Sequence, residues 1–279
     1  RREAEAADAA RVRGEAIGPL HGIPFSVKDL TNTAGVQTSQ GSALFAVKVP
    51  DADAVAVARA RAAGAILIGK TTTPEFGHKP FTEGPYFGRT LNPWDPARTC
   101  GGSSGGAAVA VATGMGALAL GSDGGGSIRI PASCCGVTGL KATLGVIPNL
   151  QAPDLFGANS YVGPMARNIA DLAYFFDVLA GPDRRDPYGQ SDGLSGRSRD
   201  GRIRIALLMR CGNVLDPEVE RGVLDAISHA GSLGIDVEEI ELNLVSLESA
   251  FLVILRSALL SRLRTAIEQT PDLLDPTLI

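Results

Sequence analysis

Histidine, cysteine and aromatic residues are all scarce in this sequence. Its 279 residues include three histidines, four cysteines and 5% aromatic residues. No CxxC or HxxxH pair occurs, so the common spacing of metal ligands is missing, and we expect no metal and no other cofactor. The cysteines are too irregularly spaced for a disulfide framework, which favours a reduced, cytoplasmic setting; they are Cys100, Cys134, Cys135 and Cys211.

The chain also lacks a large net charge of either sign. The 26 Lys and Arg residues against 30 Asp and Glu residues give a net charge of −4. Such a chain has no overall electrostatic attraction to nucleic acid or to an anionic membrane surface. The longest uncharged run, Thr99 to Ser122, is rich in Gly, Ala, Ser and Thr and poor in the large apolar residues of a membrane span. We therefore expect neither nucleic acid nor a membrane as a partner.

Glycine, in contrast, is abundant, with 34 of 279 residues or about 12%, against a usual share of about 7%. Helical and strand patterns alternate along the chain, which predicts a layered α/β fold with a sheet covered by helices. Helices are predicted over residues 1–13, 51–63, 105–113, 168–179, 217–230 and 246–268, and strands over 22–29, 65–68, 117–120, 203–209 and 235–240. The predicted core face of the helix over 168–179 consists of Ile169, Leu172, Ala173, Phe176 and Leu179.

Residues 64–71 match the phosphate-loop pattern GxxxxGK[ST] letter for letter. In a phosphate loop, a strand precedes the first glycine and a helix begins at the lysine. Here the four residues between the glycines form the predicted strand, and Pro74 disfavours a helix soon after Lys70. The match is therefore interpreted as accidental, and no nucleotide site is predicted.

The segment Gly101–Gly106 contains the pattern GxSxG twice, centred on Ser103 and on Ser104. A nucleophile elbow of the α/β-hydrolase type needs a strand directly before it and a histidine later in the chain. The preceding residues 92–98 are predicted to form a loop, and His229 is predicted to lie in a helix at the surface or core edge. An elbow-type esterase is therefore the second-ranked enzyme class.

A serine hydrolase without histidine needs another base, and Lys28 is the candidate. It follows the apolar segment Ile23–Val27, where burial would lower the pKa of its amine from about 10.4 toward neutrality. The alternative is a surface lysine paired with Asp29. Later in the chain, the segment Gly124–Ser127 follows a predicted buried strand. Its three glycines let neighbouring backbone N–H groups turn toward one point, which suits an oxyanion, and a serine-capped tight turn is the other interpretation.

Together these segments resemble the amidase signature family of Ser-Ser-Lys hydrolases. The similarity runs in order and with family-like spacing over about residues 16–180, and residues 201–245 resemble the later α/β segment more loosely. It is carried by Gly22–Pro24, Val27–Asp29, Gly69–Thr71, Gly101–Gly106, Gly121–Pro131, Cys135–Lys141 and Gly163–Arg167.

The resemblance implies an α/β fold with a mixed central β-sheet covered by helices on both faces. It implies a single amidase signature domain over residues 1–279, with its core at about 16–180 and a looser α/β segment over 201–279. Family members usually begin earlier and continue further. The resemblance therefore also implies a fragment truncated at both ends.

By position, the resemblance implies that Ser127 is the acylated nucleophile, Ser103 the bridging serine and Lys28 the base. The peptide bond before the bridging serine is cis in the family, which here is the bond Gly102–Ser103. In the implied sequence of proton transfers, Lys28 takes a proton from Ser103 while Ser103 takes the proton of Ser127. Ser127 then attacks the amide carbonyl, and water later hydrolyses the acyl-enzyme.

The resemblance also implies an oxyanion hole and three supporting residues. The oxyanion hole consists of backbone amides of the nucleophile loop, those of Gly124, Gly125 and Gly126 together with Ser127. Ser104 would hydrogen-bond within the serine network, while Asp123 and Arg129 would pair to fix the loop, or else remain exposed charges of little energetic value. The candidates for the substrate pocket are the loop Thr73–Gly88, with Phe76 and Phe81, and the segment Ser160–Met165.

The function implied is hydrolysis of a carboxylic amide to an acid plus ammonia or an amine. The implied partner is a small-molecule amide, and a homodimer is compatible with the resemblance. The alternatives are the A-type subunit of glutaminyl-tRNA amidotransferase, which is similar to this family, and an inactive fragment of an amidase. That amidotransferase usually has threonine and glutamine where this chain has Gly124 and Ile130, which favours a stand-alone amidase. Cys100 stands where the family usually has proline and is interpreted as structural, because no base or helix N-terminus is evident beside it.

Overall fold

The computed structural model describes residues 1–15, 17–151, 160–189, 204–212 and 214–279. The chain divides into two compact units, Arg1–Gly193 with Ser261–Ile279, and Leu194–Leu260. All the candidate catalytic residues belong to the first unit. The single domain over residues 1–279 that the resemblance implies stays a prediction.

The first unit is built on a five-stranded mixed sheet. The strands of the first unit, in chain order, are β1 (Pro24–Lys28), β2 (Ile66–Thr71), β3 (Glu83–Gly84), β4 (Gly88–Arg89), β5 (Leu118–Asp123), β6 (Thr138–Gly139) and β7 (Tyr161–Ala166). The order in the sheet is β2-β1-β5-β7-β6, while β3 and β4 form a separate antiparallel pair. Strand β1 is parallel to both β2 and β5, whereas β7 is antiparallel to β5 and β6. The carboxyl ends of β1 and β5 therefore lie side by side.

Helices cover both faces of this sheet. They are α2 (Val55–Ala62), α3 (Gly105–Ala112), α4 (Arg129–Cys135) and α5 (Ile169–Leu179), whereas helix α1 (Arg2–Val12) precedes β1 and has no buried residue. Alternate residues of a strand face opposite sides. Phe25 of β1 therefore joins a core cluster with residues of α2 and α5, and its ring meets that of Phe175 edge-on at 6.5 Å. Ala119 of β5 joins a second cluster with Val111 of α3 and Ala132 of α4. The predicted fold class is confirmed.

Local sequence signals set the limits of several helices. Helix α5 begins after Asn168, whose side-chain oxygen accepts the backbone N–H of Asp171 at 2.8 Å, a cap that contributes about 1 kcal/mol. Helix α4 ends at Gly136, which has the left-handed conformation (φ 65°) that glycine adopts without steric cost. Helix α3 begins close to the backbone of Thr72, and a Cβ added to Gly106 would lie 2.5 Å from the Thr72 nitrogen. Glycine permits this close approach.

The structure differs from the predicted elements in three ways: in the start of one helix, in the core face of another, and in elements that were not predicted, among them the two-residue strands β3, β4 and β6. Helix α2 begins at Val55 and not at Asp51, because Ala54 is still extended. The predicted core face of α5 was wrong in part. Phe175 is buried with Leu172 and Leu179, whereas Ala173 is exposed and Ile169, in the first turn, is 69% exposed. Neither α4 nor β7 was predicted, since both contain a proline.

The second unit contains two parallel strands and a helix. Strands β8 (Arg204–Leu207) and β9 (Asp236–Glu239) flank helix α6 (Pro217–Ser232) in the sequence. Helix α6 is capped by Asp216, whose carboxylate accepts the N–H of Glu218, and has proline at its first position. Helix α7 (Glu248–Gln269) contains the residues at which the chain returns to the first unit. These elements agree with the predicted ones, and Ile203 lies outside the described residues.

All four cysteines are free thiols. Within the described ranges, no group of three or more His, Cys, Asp or Glu residues could hold a metal ion. No helix of that part of the chain combines the length and the apolar character needed to cross a bilayer.

Candidate active site

The amine of Lys28 lies among hydroxyl groups and a carbonyl oxygen. Lys28 is the last residue of β1 and is fully buried. Its Nζ lies 2.7 Å from Oγ of Ser103, 3.1 Å from Oγ of Ser122 and 3.3 Å from the carbonyl oxygen of Ser122. The alternative of a surface lysine paired with Asp29 is wrong, because Asp29 instead lies 3.7 Å from the amine of Lys70.

This environment favours the uncharged form of the amine. Burial lowers the pKa of Lys28 from 10.5 to about 7, although the negative charge of Asp123 acts in the opposite direction. A buried ammonium group loses its hydration, and neutral partners replace only part of that loss. At neutral pH a large fraction of the amine therefore carries a lone pair. A lone pair 2.7 Å from the Ser103 hydroxyl can accept its proton.

The two neighbouring serines have different partners. Ser103 follows a cis peptide bond, Gly102–Ser103, as the resemblance implies, and its hydroxyl lies beside the Lys28 amine. Ser104 precedes α3 and is fully buried. Its hydroxyl donates to the carbonyl of Ser122 at 3.1 Å and accepts the N–H of Ser122 at 3.2 Å. Because the hydroxyl of Ser104 already donates to and accepts from the backbone of β5, this residue is unsuited to be an elbow nucleophile.

Asp123 fixes the shape of the loop that follows β5. Its buried carboxylate accepts the backbone N–H of Gly126 at 2.8 Å and of Ile128 at 3.1 Å. Arg129 donates to the same carboxylate through Nε and Nη2, each at 3.0 Å, a geometry that restrains both groups. Burial by itself would raise the pKa of Asp123. The hydrogen bonds from Arg129 and the two amides outweigh burial, so the pKa of this carboxyl group lies below its ordinary value. Asp123 and Arg129 are therefore paired, and Asp123 is not an exposed charge.

Ser127 is half-buried in this loop. The N–H of Ser104 donates to its carbonyl at 3.0 Å, which places the two serine-bearing loops side by side. The Ser127 hydroxyl has no hydrogen-bond partner in the described part of the chain, so it is not joined to Ser103. The N–H of Gly126 is already bonded to Asp123. Over the same described residues, the N–H groups of Gly124, Gly125 and Ser127 have no protein acceptor.

Comparison with known proteins identifies the family of this chain. A family model described as Amidase matches residues 1–274 of the chain. The chain belongs to this amidase family. An acylamidase from Rhodococcus erythropolis is 42% identical over 233 residues, which cover 81% of this chain and 49% of that protein. The A-type subunit of glutamyl-tRNA(Gln) amidotransferase from Synechococcus sp. (strain CC9605) is 42% identical over 249 residues, which cover 86% of this chain and 50% of that protein.

A solved amidase-family structure has the same fold. The structure of a bacterial aryl acylamidase of the amidase signature family matches this chain with a TM-score of 0.88 and 26% identity, covering 100% of this chain and 61% of that one. The chain spans about half the length of the curated relatives it matches. The predicted family is confirmed.

The phosphate-loop pattern is accidental in this amidase-family chain. Its lysine, Lys70, belongs to β2, and the amine donates to the carbonyl of Thr31 at 2.6 Å and to the hydroxyl of Thr38 at 2.8 Å. The amine is therefore committed to the chain that follows β1. His229, the histidine that an elbow would need, is exposed in α6.

The predicted substrate-pocket loop does border the site, through a residue that was not singled out. Phe76 is buried with a positive φ of 52°, whereas Phe81 is 48% exposed. The next residue, Gly77, adjoins Ser103, because a Cβ added there would lie 3.1 Å from Oγ of that serine. A cavity of about 560 Å³ lies elsewhere, lined in part by Asn32, Val55, Arg59 and Gln151 and by none of the candidate catalytic residues.

Sequence reasoning missed a pair of buried carboxylates next to this loop. Glu75 is 2% exposed and accepts the hydroxyl of Ser42 and the backbone N–H of Asp275, each at 2.5 Å. Asp275 accepts the amine of Lys79 at 2.7 Å. Residues 274–278, the C-terminal clasp, are thereby held against the loop that carries Gly77. No local pattern signals a contact between residues 200 positions apart.

Sequence reasoning also missed Ser122. It is buried in β5 and supplies two of the three oxygen atoms around the Lys28 amine. The one available signal was its position directly before Asp123, at the end of a strand that leads into the glycine loop. A serine in a buried strand is otherwise indistinguishable from a core residue.

Proposed function

We propose that this chain carries the catalytic site of an amidase, which hydrolyses a carboxylic amide to an acid plus ammonia or an amine through an acyl-enzyme. The observation that carries the proposal is the buried Lys28 amine, 2.7 Å from Oγ of Ser103 and with its pKa lowered to about 7. A buried lysine with no function would be an unexplained cost in stability. A buried lysine that serves as a base has a reason to be uncharged.

In the proposed acylation, Ser127 is the nucleophile. Its oxygen bonds to the amide carbon, its proton passes to the oxygen of Ser103, and the proton of Ser103 passes to the neutral amine of Lys28. The negative charge on the carbonyl oxygen is stabilised by backbone N–H groups. The free N–H groups of Gly124, Gly125 and Ser127 suit this role, whereas that of Gly126 is held by Asp123.

The second half of the cycle returns these protons. When the C–N bond breaks, the ammonium of Lys28 gives its extra proton through Ser103 to the leaving nitrogen, which departs as ammonia or an amine. A water molecule then attacks the ester of Ser127 and gives its proton through Ser103 to Lys28. The C–O bond to Ser127 breaks, the acid leaves, and the same proton returns through Ser103 to the Ser127 oxygen. The relay requires Ser127 to approach Ser103. The hydrogen bond between the N–H of Ser104 and the carbonyl of Ser127 supports that approach, because it already holds the two loops together.

Mass spectrometry after exposure to a serine-reactive fluorophosphonate tests the proposal. We expect one modified peptide, labelled at Ser127, in the wild-type protein and no label in Lys28→Ala. The matched control is Ser26→Ala, which removes a buried hydroxyl of the same strand, one without a hydrogen-bond partner in the described ranges. This control should be labelled like the wild type. A label at Ser104, or no label in protein whose circular dichroism shows it to be folded, would contradict the proposal.

Glutamine-dependent amide transfer within a larger complex is the second candidate function. The observation that favours it is the 42% identity to the Synechococcus amidotransferase, equal to that of the acylamidase. Both functions would use the same site, and they differ in the amide consumed. Release of acid from an aryl or alkyl amide by the protein alone would support the amidase. Hydrolysis restricted to glutamine and dependent on added partner proteins would support the transferase.

A further inference from the structure

The amine of Lys28 has three polar contacts, and the chemistry of its partners fixes the direction of one of them. An uncharged amine has two N–H donors and one lone pair, whereas an ammonium group has three donors. Nζ of Lys28 has three oxygen neighbours, and two of them belong to Ser122. The carbonyl oxygen of Ser122 can only accept, so it must face an N–H. The remaining N–H and the lone pair are shared between the hydroxyls of Ser122 and Ser103.

We propose that Ser122 is a positioning residue that directs the lone pair of neutral Lys28 toward Ser103. Its carbonyl and its hydroxyl each accept one N–H, which uses both donors of the uncharged amine. Only the lone pair is then left for Ser103, whose oxygen is the nearest of the three at 2.7 Å. Ser103 must therefore donate its proton to the amine. This inference rests on the proposed function, since it explains why the base accepts a proton from one hydroxyl and not from the other.

The backbone of Ser122 is held by the sheet and by Ser104. Ser122 is in β5, where it pairs with Val162 of β7, and is 5% exposed. Its N–H and its carbonyl are each hydrogen-bonded to the hydroxyl of Ser104. Two roles follow: Ser104 restrains the backbone of Ser122, and Ser122 orients the amine. This gives Ser104 a purpose that does not require it to touch a substrate.

Removing the Ser122 hydroxyl has two consequences that a packing defect would not combine. The neutral amine loses one acceptor and is free to rotate, so its lone pair faces Ser103 for only part of the time and the reaction slows. The charged amine also loses an acceptor, and hydrogen bonds from a charged donor are stronger than those from a neutral one. The variant therefore favours the neutral form, and the pH at which Lys28 becomes a base moves down.

The test measures the second-order rate constant for fluorophosphonate labelling of Ser127 between about pH 5.5 and 9.5. In Ser122→Ala, we expect the plateau rate at high pH to fall about tenfold and the midpoint to move to lower pH, since one hydrogen bond changes a rate or equilibrium by roughly 3- to 10-fold. Ser122→Thr, which restores a hydroxyl, should recover both the plateau and the midpoint. Ser26→Ala is the matched control, and neither its plateau nor its midpoint should change.

The outcomes separate this inference from the proposed function. An unlabelled wild-type protein would remove the proposed function itself. A labelled wild type with an unchanged plateau and midpoint in Ser122→Ala would leave the base in place and overturn the role of Ser122. A lower plateau with an unshifted midpoint and no rescue by threonine would reduce Ser122 to a packing residue, which also overturns the inference. Should Ser122→Ala fail to fold, Ser122→Cys has similar volume and a weaker acceptor, and an unchanged rate in that variant would be equally decisive.

Discussion

Replacing Lys28 by methionine should abolish the reactivity of Ser127 and, at the same time, remove a pH dependence from the stability of the protein. The pKa of the amine is 10.5 for a free lysine and about 7 in the fold. Between these values the unfolded chain binds a proton that the folded protein does not. The free energy of unfolding of the wild type therefore rises with pH across this window, and the Lys28→Met variant lacks this contribution.

The magnitude follows from the size of the shift. A difference of about 3.5 pKa units, at about 1.36 kcal/mol per unit, corresponds to about 5 kcal/mol when the whole window is crossed. Between pH 7 and pH 10 the wild type should gain about 3 to 4 kcal/mol relative to Lys28→Met. Hydrogen bonds lost with the amine alter the stability of the variant, but they do so equally at both pH values. The difference between the two pH values therefore isolates the ionisation of Lys28.

Urea denaturation at several pH values measures this difference. Trp94, the single tryptophan, lies in the first unit, and its indole N–H donates to the carbonyl of Cys135 at 2.8 Å, so its fluorescence reports on the unit that carries the site. Lys70→Met is the matched control. Burial lowers the pKa of Lys70 only to about 8, so its effect should be smaller and confined to higher pH. A gap between wild type and Lys28→Met that stays constant from pH 7 to pH 10 would refute a neutral buried lysine.

Three further predictions concern the surroundings of the site. Asp123→Asn should abolish labelling of Ser127 and lower the unfolding free energy by about 2 to 3 kcal/mol, because it removes the charge of a buried carboxylate that accepts hydrogen bonds from Arg129 and two backbone N–H groups; normal labelling kinetics would contradict this. Ser26→Ala should leave the free energy of unfolding unchanged or raise it by up to about 1 kcal/mol in thermal denaturation, since the buried Ser26 hydroxyl has no hydrogen-bond partner within the described ranges. A clear loss of stability would show that this hydroxyl does have a partner. Asp275→Ala should slow labelling of Ser127 by releasing the loop of Glu75, and an unaffected rate would show that the C-terminal clasp does not position that loop.

The candidate serines and lysine stand out in the sequence because their context is unusual. An apolar strand that ends in lysine, and glycine runs beside two serines, are rare enough together to indicate chemistry. Lys28 and Ser103 are 75 positions apart and yet lie within hydrogen-bond distance, as the resemblance implies. The Ser127 hydroxyl is not joined to them, so its role in the relay stays a prediction.

Other parts of the fold were hidden from the sequence for definite physical reasons. Strand β7 contains Gly163 and Pro164, which disfavour a strand by propensity, but pairing with β5 and β6 on either side overrides that preference. Helix α4 contains Pro131 in its first turn, where a missing N–H costs no helical hydrogen bond. The face of α5 was misjudged because a helical repeat fits Phe175 and Phe176 almost equally well, and only the packing against Phe25 selects the former.

The C-terminal clasp has a consequence for protein synthesis. The ribosome makes Glu75 long before Asp275, and until then water must hydrate the Glu75 carboxylate oxygen that later accepts the N–H of Asp275. A nascent chain that has already emerged through β7 contains every proposed catalytic residue, yet the loop beside Ser103 still lacks its final support. The proposed hydrolytic activity of a growing polypeptide should therefore stay below its full rate until translation has passed residue 275.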